Sequence, residues 1–429
     1  MIAELHLENW ESYEKASLQM DPISVLIGTN ASGKSSALDA FVLLNRSASG
    51  AMHTSALQGD GALAPMRGGV DWAAQRPGST FAIGAVCRAD ESTDYDYRIE
   101  CRISENRCDL IAEQLFRKKY RVGKDGKRKT IVGTIKLFRT DPCPESAPNI
   151  VARLYNAKQG TPRTLGRSHS VLFQLVGQKL RQEIQDGITD VISSLKEMFF
   201  LDPIPSHMRV YAPLADKLDS DARNIAGVIA ALPERKQHEI ETVLTKYASK
   251  LPERDIRRVY AETVGKFKSD AMLYCEEDWL GVGVPPTVDA RGMSDGTLRF
   301  LAILTALLTR PEGSLLIIEE IDNGLHPSRA NMLLDMLKTI GKERGVDVLA
   351  TTHNPALLDA MGTEMVPFIT VAHRDRTTGH SVLTLLEDIK QLPKLLAQGQ
   401  IGRLSSKGLI ERSLQQSFDF SQVSEPDNA

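Results

Sequence analysis

The chain has 429 residues, 42% of them hydrophobic and 25% charged, with a net charge of −3. That is the composition of a globular protein with ample core; it excludes disordered and collagen-like chains and leaves room for two or three domains or one large α/β domain with an insertion. The near-neutral balance leaves any contact with nucleic acid or membrane to local patches.

Residues 2–20 alternate apolar and polar side chains (Ile2, Leu5, Leu7, then Tyr13, Ala16, Leu18), the period of one or two strands. The opening lacks a signal-peptide core and no run approaches the length of a membrane span, so no membrane segment is expected. Five cysteines (Cys87, Cys101, Cys108, Cys143, Cys275) without a C-x-x-C pair favour reduced thiols in a cytoplasmic protein.

Residues 24–44, SVLIGTNASGKSSALDAFVLL, read as a short apolar strand, a glycine-bounded loop and a helix opening at Gly33. Gly28, Gly33, Lys34 and Ser35 fit G-x-x-x-x-G-K-[ST], the pattern of a phosphate-binding loop. Its backbone N–H groups, through Thr29, Asn30, Ala31, Ser32 and on to Ser36, can wrap phosphate oxygens, and the helix N-terminus favours an anion. In such a loop Lys34 reaches the β- and γ-phosphates of a nucleoside triphosphate and the Ser35 hydroxyl ligates Mg²⁺.

Residues 47–79 read as loop with short helical pieces, and 81–87 and 95–103 as paired strands. Residues 108–117 either continue the sheet or turn helical. The stretch 117–136 carries nine basic residues around Asp125-Gly126, a hairpin-turn dipeptide, so a basic hairpin is expected. It suits a phosphate backbone, an acidic partner, or simply solvent. Asp94 and Asp96 form a D-x-D pair that reads as an exposed strand end rather than a metal site. Apolar residues at helical spacing over 171–199, with further helical segments at 224–232, 236–251 and 255–268, predict a largely helical insertion.

After Pro286 the α/β pattern returns. Helix is expected over 298–308 and 328–342, buried strand over 315–318 and 346–352, and a hairpin over 365–372 and 380–385. From Gln415 the chain reads as a disordered tail. The strand 315–318 ends in Glu319 and Glu320: one acid to hold Mg²⁺ through its water shell, the next to orient or deprotonate the attacking water. Ser294 and Gly296 open a second anion-favouring helix start. His353 ends the following strand, where open α/β sheets bind ligands, and is placed to hydrogen-bond a γ-phosphate.

The order of these motifs resembles that of the ABC-type ATPases, within them the SMC/RecF branch, and most closely the OLD-like ATPases of bacteria. The resemblance rests on ELHLENWESY, VLIGTNASGKSSALDA, GMSDGTLRFLAIL, LLIIEEIDNGLHP and ATTHNPALLDAM. It implies an α/β ATPase head, a mixed sheet flanked by helices, built from residues 1–104 and 286–390. Residues 105–285 would be the insertion, and 391–429 a terminal helix and tail. It implies ATP and Mg²⁺ as ligands and a head-to-tail homodimer in which Ser294 and Gly296 of one copy meet the γ-phosphate held by Lys34 of the other. It further implies slow turnover that controls a separately encoded effector, such as a TOPRIM-like nuclease, in anti-phage defence. The alternatives are a RecF-like DNA-repair ATPase that touches DNA through residues 117–136, and a nucleotide-locked scaffold. The chain departs from the pattern at Asp295, where transporter ATPases carry glycine, and at His326, where they carry an aspartate.

Overall fold

The computed structural model describes residues 1–123, 126, 128–155, 159–251, 256–278, 286–324 and 326–414. Three sheets organise them. The central one has six strands in the order Met198–Leu201, Leu315–Ile318, Asp347–Thr351, Ile23–Ile27, Ile369–Arg374 and Ser381–Leu385. Its first five strands are parallel and the last is antiparallel.

Strands buried on both faces need apolar residues at successive positions, which these have. Their alternate side chains enter different cores. Val25, Ile27, Leu316, Ile318, Val348 and Ala350 face a core shared with helices Asp295–Thr309 and Ala330–Arg344. Leu26, Leu315, Ile317 and Leu349 face a second core, with the P-loop helix Lys34–Ala48 and helix Gln182–Lys196. An antiparallel eight-stranded sheet closes that second core. It runs Tyr13–Gln19, Ile2–Trp10, Thr80–Asp90, Thr93–Ser104, Arg107–Val122, Arg128–Thr140, Asn149–Leu154 and Thr161–Gly166. The third sheet, Ala212–Pro213, Asp270–Glu277 and Ile256–Val264, with Thr287–Asp289 beside it, packs with helices Ile225–Ala230 and Glu234–Ala248 on the first core.

The mixed α/β fold with helices on the central sheet is as expected, but the middle of the chain holds more strand than a helical insertion would. Residues 107–122 continue the sheet, so a boundary at 104/105 falls in a turn between two paired strands. The segment 255–268, read as helix, forms the strand Ile256–Val264 from its second residue. A register shift between Ile256 and Arg258 puts Ile256 and Val259 both inside, and that bulge imitates helical spacing.

The helical spacing over 171–199 belongs to two helices, Val171–Gln174 and Gln182–Lys196, separated by a turn through Gly177 with φ +76°. Met198 and Phe199 leave the helix to pair with Leu315 and Leu316. The strand expected over 365–372 begins only at Ile369, after a tight helical turn Thr363–Phe368. Asp125 of the hairpin turn and the tail from Gln415 lie outside the described residues. No helix among the described residues is long and apolar enough to cross a membrane.

Candidate nucleotide site

The P-loop strand Ile23–Ile27 lies between Asp347–Thr351 and Ile369–Arg374, so the loop that follows leaves the sheet at the carboxyl ends of its parallel strands. The loop turns through three left-handed positions, Gly28 (φ +147°), Ala31 (φ +61°) and Gly33 (φ +111°). A Cβ on Gly28 would sit 2.2 Å from the Ala372 carbonyl oxygen, and one on Gly33 would sit 2.5 Å from Ser381 Oγ. Only glycine fits either place.

Thr29, Asn30 and Ala31 are exposed, Ser32 and Gly33 buried, and Lys34, Ser35 and Ser36 half-buried. Lys34 Nζ donates to the carbonyls of Gly28 (2.6 Å) and Thr29 (2.9 Å), lying across the loop mouth. Burial pulls the Lys34 ammonium below its usual range against the support of Glu320, Glu319 and Glu411.

Ser35 and Glu319 meet. The Ser35 hydroxyl donates to Glu319 Oε1 at 2.7 Å, across 284 residues of sequence. A hydroxyl and a carboxylate side by side are hard oxygen donors of the kind Mg²⁺ takes while keeping waters and phosphate oxygens in its remaining positions. Burial opposes ionisation of Glu319, but hydrogen bonds from Arg67 and Ser35, with the charges of Arg67 and Lys34, outweigh it and hold the carboxyl below its usual range. It is therefore an anion at neutral pH.

Glu320 turns out of the strand with φ +50°, a costly conformation for a residue with a side chain. Bonds to the neighbouring strand hold it there: its N–H donates to Thr351 Oγ1 (2.8 Å), and the Ile321 N–H to the Thr351 carbonyl (3.0 Å). The result points its half-exposed carboxylate toward His353, whose Nδ1 lies 3.8 Å from Glu320 Oε1. Thr352, the neighbour of His353, is tied to Asp322 (2.5 Å) and to the Asn354 N–H (3.0 Å), which fixes the strand end.

Ser294 and Gly296 stand elsewhere. The Ser294 hydroxyl caps its own helix, accepting from the Thr297 N–H at 3.1 Å. A Cβ on Gly296 would meet Arg329 Nη1 at 2.6 Å and the Gly324 carbonyl at 2.9 Å. Among the described residues no hydrogen bond or ion pair joins Ser294 or Gly296 to the P-loop. Asp295, where the chain departs from the transporter pattern, pairs with Arg209 at 2.8 Å.

Over residues 23–359 the chain matches the family described as "AAA domain, putative AbiEii toxin, Type IV TA system". The chain belongs to this AAA-domain family. It is also 37% identical over 76 residues to the energy-coupling factor transporter ATP-binding protein EcfA2 of Bacillus thuringiensis (strain Al Hakam) and, equally, of Bacillus anthracis. Those matches span 17% of this chain and 25% of each relative, so the chain matches about a quarter of their length. Among solved structures it is similar to an SMC head bound to the C-winged helix domain of ScpA, at 16% identity, 90% and 98% coverage of the two chains and a TM-score of 0.47. It is similar too to the SMC head domain from Thermotoga maritima, at 12% identity, 90% and 98% coverage and a TM-score of 0.40.

In this AAA-domain chain the P-loop has supports that motif reading did not find. Arg67, from the irregular stretch after the P-loop helix, grips Glu319 with both guanidinium nitrogens at 3.3 and 2.5 Å. Tyr13 donates to the Gly33 carbonyl (2.9 Å), the Trp10 indole to the Ser36 carbonyl (2.7 Å) and Arg374 to the Ala31 carbonyl (2.9 Å). Tyr13 and Trp10 belong to the opening alternation, and a Trp or Tyr buried there needs a polar partner, which was the available signal.

A cavity of about 450 Å³ opens beside Ser36, lined by Glu11, Ser12, Arg67, Trp72 and Arg374. A larger one of about 630 Å³, between Arg98, Arg139 and Tyr155 on the eight-stranded sheet, includes none of the P-loop groups. Asp94 and Asp96 are ion-paired within the sheet, to Arg128 and Lys118 at 2.6 Å each. Asp94 is buried rather than exposed.

Proposed function

We propose that the protein is an ABC-type ATPase that binds ATP and Mg²⁺ between two copies of itself and uses binding and slow hydrolysis to control a partner effector. The observation that carries this is the meeting of Ser35 with Glu319 at 2.7 Å, beside Lys34 and next to the Glu320–His353 pair. Ser35 and Glu319 would hold Mg²⁺, which supplies charge neutralisation at the β- and γ-phosphates. Lys34 and the N–H groups from Gly28 to Ser36 bind the triphosphate, and the nucleoside extends into the cavity beside Ser36. Glu320 orients the attacking water and accepts its proton; His353 donates to the γ-phosphate.

The detached position of Ser294 and Gly296 supports a composite site. One copy offers the P-loop, and a helix N-terminus of a second copy reaches the γ-phosphate, so ATP joins the two and hydrolysis loosens them. The effector is read as a separately encoded nuclease, TOPRIM-like in the OLD-like comparison, acting in bacterial anti-phage defence in the cytoplasm.

The RecF-like alternative draws on the basic hairpin, where Lys119, Arg121, Lys129 and Lys136 form no ion pair among the described residues. Phosphate release is the first test. The wild-type chain should turn over ATP while Glu320→Gln binds it and releases at least about a hundredfold less phosphate. Equal release by the two would leave the scaffold reading in its place.

A further inference from the structure

The ribbon of Arg107–Val122 and Arg128–Thr140 has a property that nucleotide chemistry does not use. Strand Arg128–Thr140 pairs with Arg107–Val122 from Val122↔Arg128 to Gln114↔Arg139. Among the described residues its other edge pairs at 138–140, with 152–154, and the Leu137 carbonyl accepts from the Tyr155 N–H. From Arg128 to Ile135 that edge has no strand partner among the described residues. It offers a row of backbone donors and acceptors beside Ile131, Val132 and Ile135, which are 53%, 57% and 43% exposed. The register skips Val132, so Ile131, paired with Tyr120, and Ile135, paired with Arg117, lie on opposite faces of the ribbon. Unpaired edges with exposed apolar side chains can template pairing with another chain; here Lys129, Lys136 and the two register shifts flanking Tyr120 discourage pairing with a like strand.

The edge is also held in place. Arg128 pairs with Asp94 at 2.6 Å, donates to the Asp90 carbonyl and lies over the Tyr120 ring at 4.7 Å. The Tyr120 N–H donates to the Ser92 carbonyl at 2.8 Å.

Charge decides what fits. In a second copy paired antiparallel about Val132 and Gly133, Lys129 of each chain would lie opposite Lys136 of the other, two like-charge pairs on a short ladder. Lys119, Arg121 and Arg139 add to the same field. Three exposed aliphatic side chains, in turn, are of no use to a phosphate backbone.

We propose that this edge accepts an extended acidic segment of a partner protein by strand addition, with acids opposite Lys129 and Lys136 and apolar residues opposite Ile131, Val132 and Ile135. This rests on the reading that the ATPase controls a partner, and it names where that partner docks.

The test uses the full chain and a fluorescent peptide of about 12 residues with glutamates placed to oppose Lys129 and Lys136 and valines placed to oppose Ile131, Val132 and Ile135, read by anisotropy, with a second peptide of equal charge in which proline replaces the three valines. The valine peptide should bind saturably, protect the amides of residues 128–135 from hydrogen exchange, and bind at least about tenfold more tightly than the proline peptide. A Lys129→Glu, Lys136→Glu chain should lose about tenfold in peptide affinity and keep its melting temperature. Equal binding of both peptides would mean that charge alone acts and would overturn the proposal. So would no binding by about 1 mM peptide, or displacement of the peptide by a DNA duplex of about 20 base pairs. ATP affinity and phosphate release, measured on the same samples, keep the two readings apart: their loss with peptide binding intact counts against the ATPase reading alone.

Discussion

Ser35→Ala separates the chemical role of this hydroxyl from its structural one. Among the described residues the hydroxyl makes one hydrogen bond, 2.7 Å to Glu319 Oε1. A hydrogen bond to a charged group is worth about 1.5–3 kcal/mol. Glu319, however, is about one-third exposed (34%) and keeps Arg67 on both oxygens. The loss in stability should therefore be at or below the bottom of that range, about 1 kcal/mol, a fall of no more than about 2–3 °C in the melting temperature. Turnover is another matter, because the same hydroxyl is one of two protein groups read as holding Mg²⁺. Its removal should lower phosphate release by about a hundredfold or more and raise the Mg²⁺ concentration needed for half-maximal rate. The assay pairs a thermal melt with phosphate release across a Mg²⁺ titration. A Ser35→Ala chain that melts normally and turns over within about twofold of wild type would refute the metal-binding reading of Ser35 and Glu319.

Gly28→Ala should cost about 3 kcal/mol in urea unfolding and abolish ATP binding, since its Cβ would lie 2.2 Å from the Ala372 carbonyl at a left-handed φ. Wild-type stability would mean that the loop does not pack against strand Ile369–Arg374 as described. Burial pushes the Glu11 carboxyl up to about 8, with the Ser36 hydroxyl pulling the other way. Glu11 is therefore neutral below that pH and an anion above it. ATP affinity, measured with a fluorescent analogue, should fall about fivefold between pH 7 and pH 9 as that charge appears beside Ser36, and Glu11→Gln should flatten the profile. An unchanged profile in Glu11→Gln would place the nucleoside away from this cavity.

The parts of the site that sequence reveals are those with short-range signatures. The P-loop needs glycines where Cβ atoms cannot go, so Gly28 and Gly33 are visible in sequence, as is the apolar run Leu315–Ile318 that ends in Glu319 and Glu320. Arg67 was not visible, because it comes from a stretch without periodicity and reaches Glu319 only through the tertiary fold. The middle of the chain hides its strands for a related reason. A bulge between Ile256 and Arg258 breaks the alternation of a strand, and the remaining spacing is that of a helix. Motif order reads Ser35 and Glu319 as acting on one Mg²⁺; their side chains lie 2.7 Å apart in the fold. Among the described residues Ser294 makes no such contact, and on the proposed reading its role depends on a second copy.

The composite site is tested most directly by mixing two inactive chains, Lys34→Ala and Ser294→Arg. In a head-to-tail pair each site takes its P-loop from one copy and its Ser294 from the other, so a mixed pair contains one site with both parts intact. Random pairing should restore about a quarter of wild-type phosphate release to a mixture in which neither variant is active alone. If the mixture stays as inactive as its components, the two halves of the site do not come from different copies.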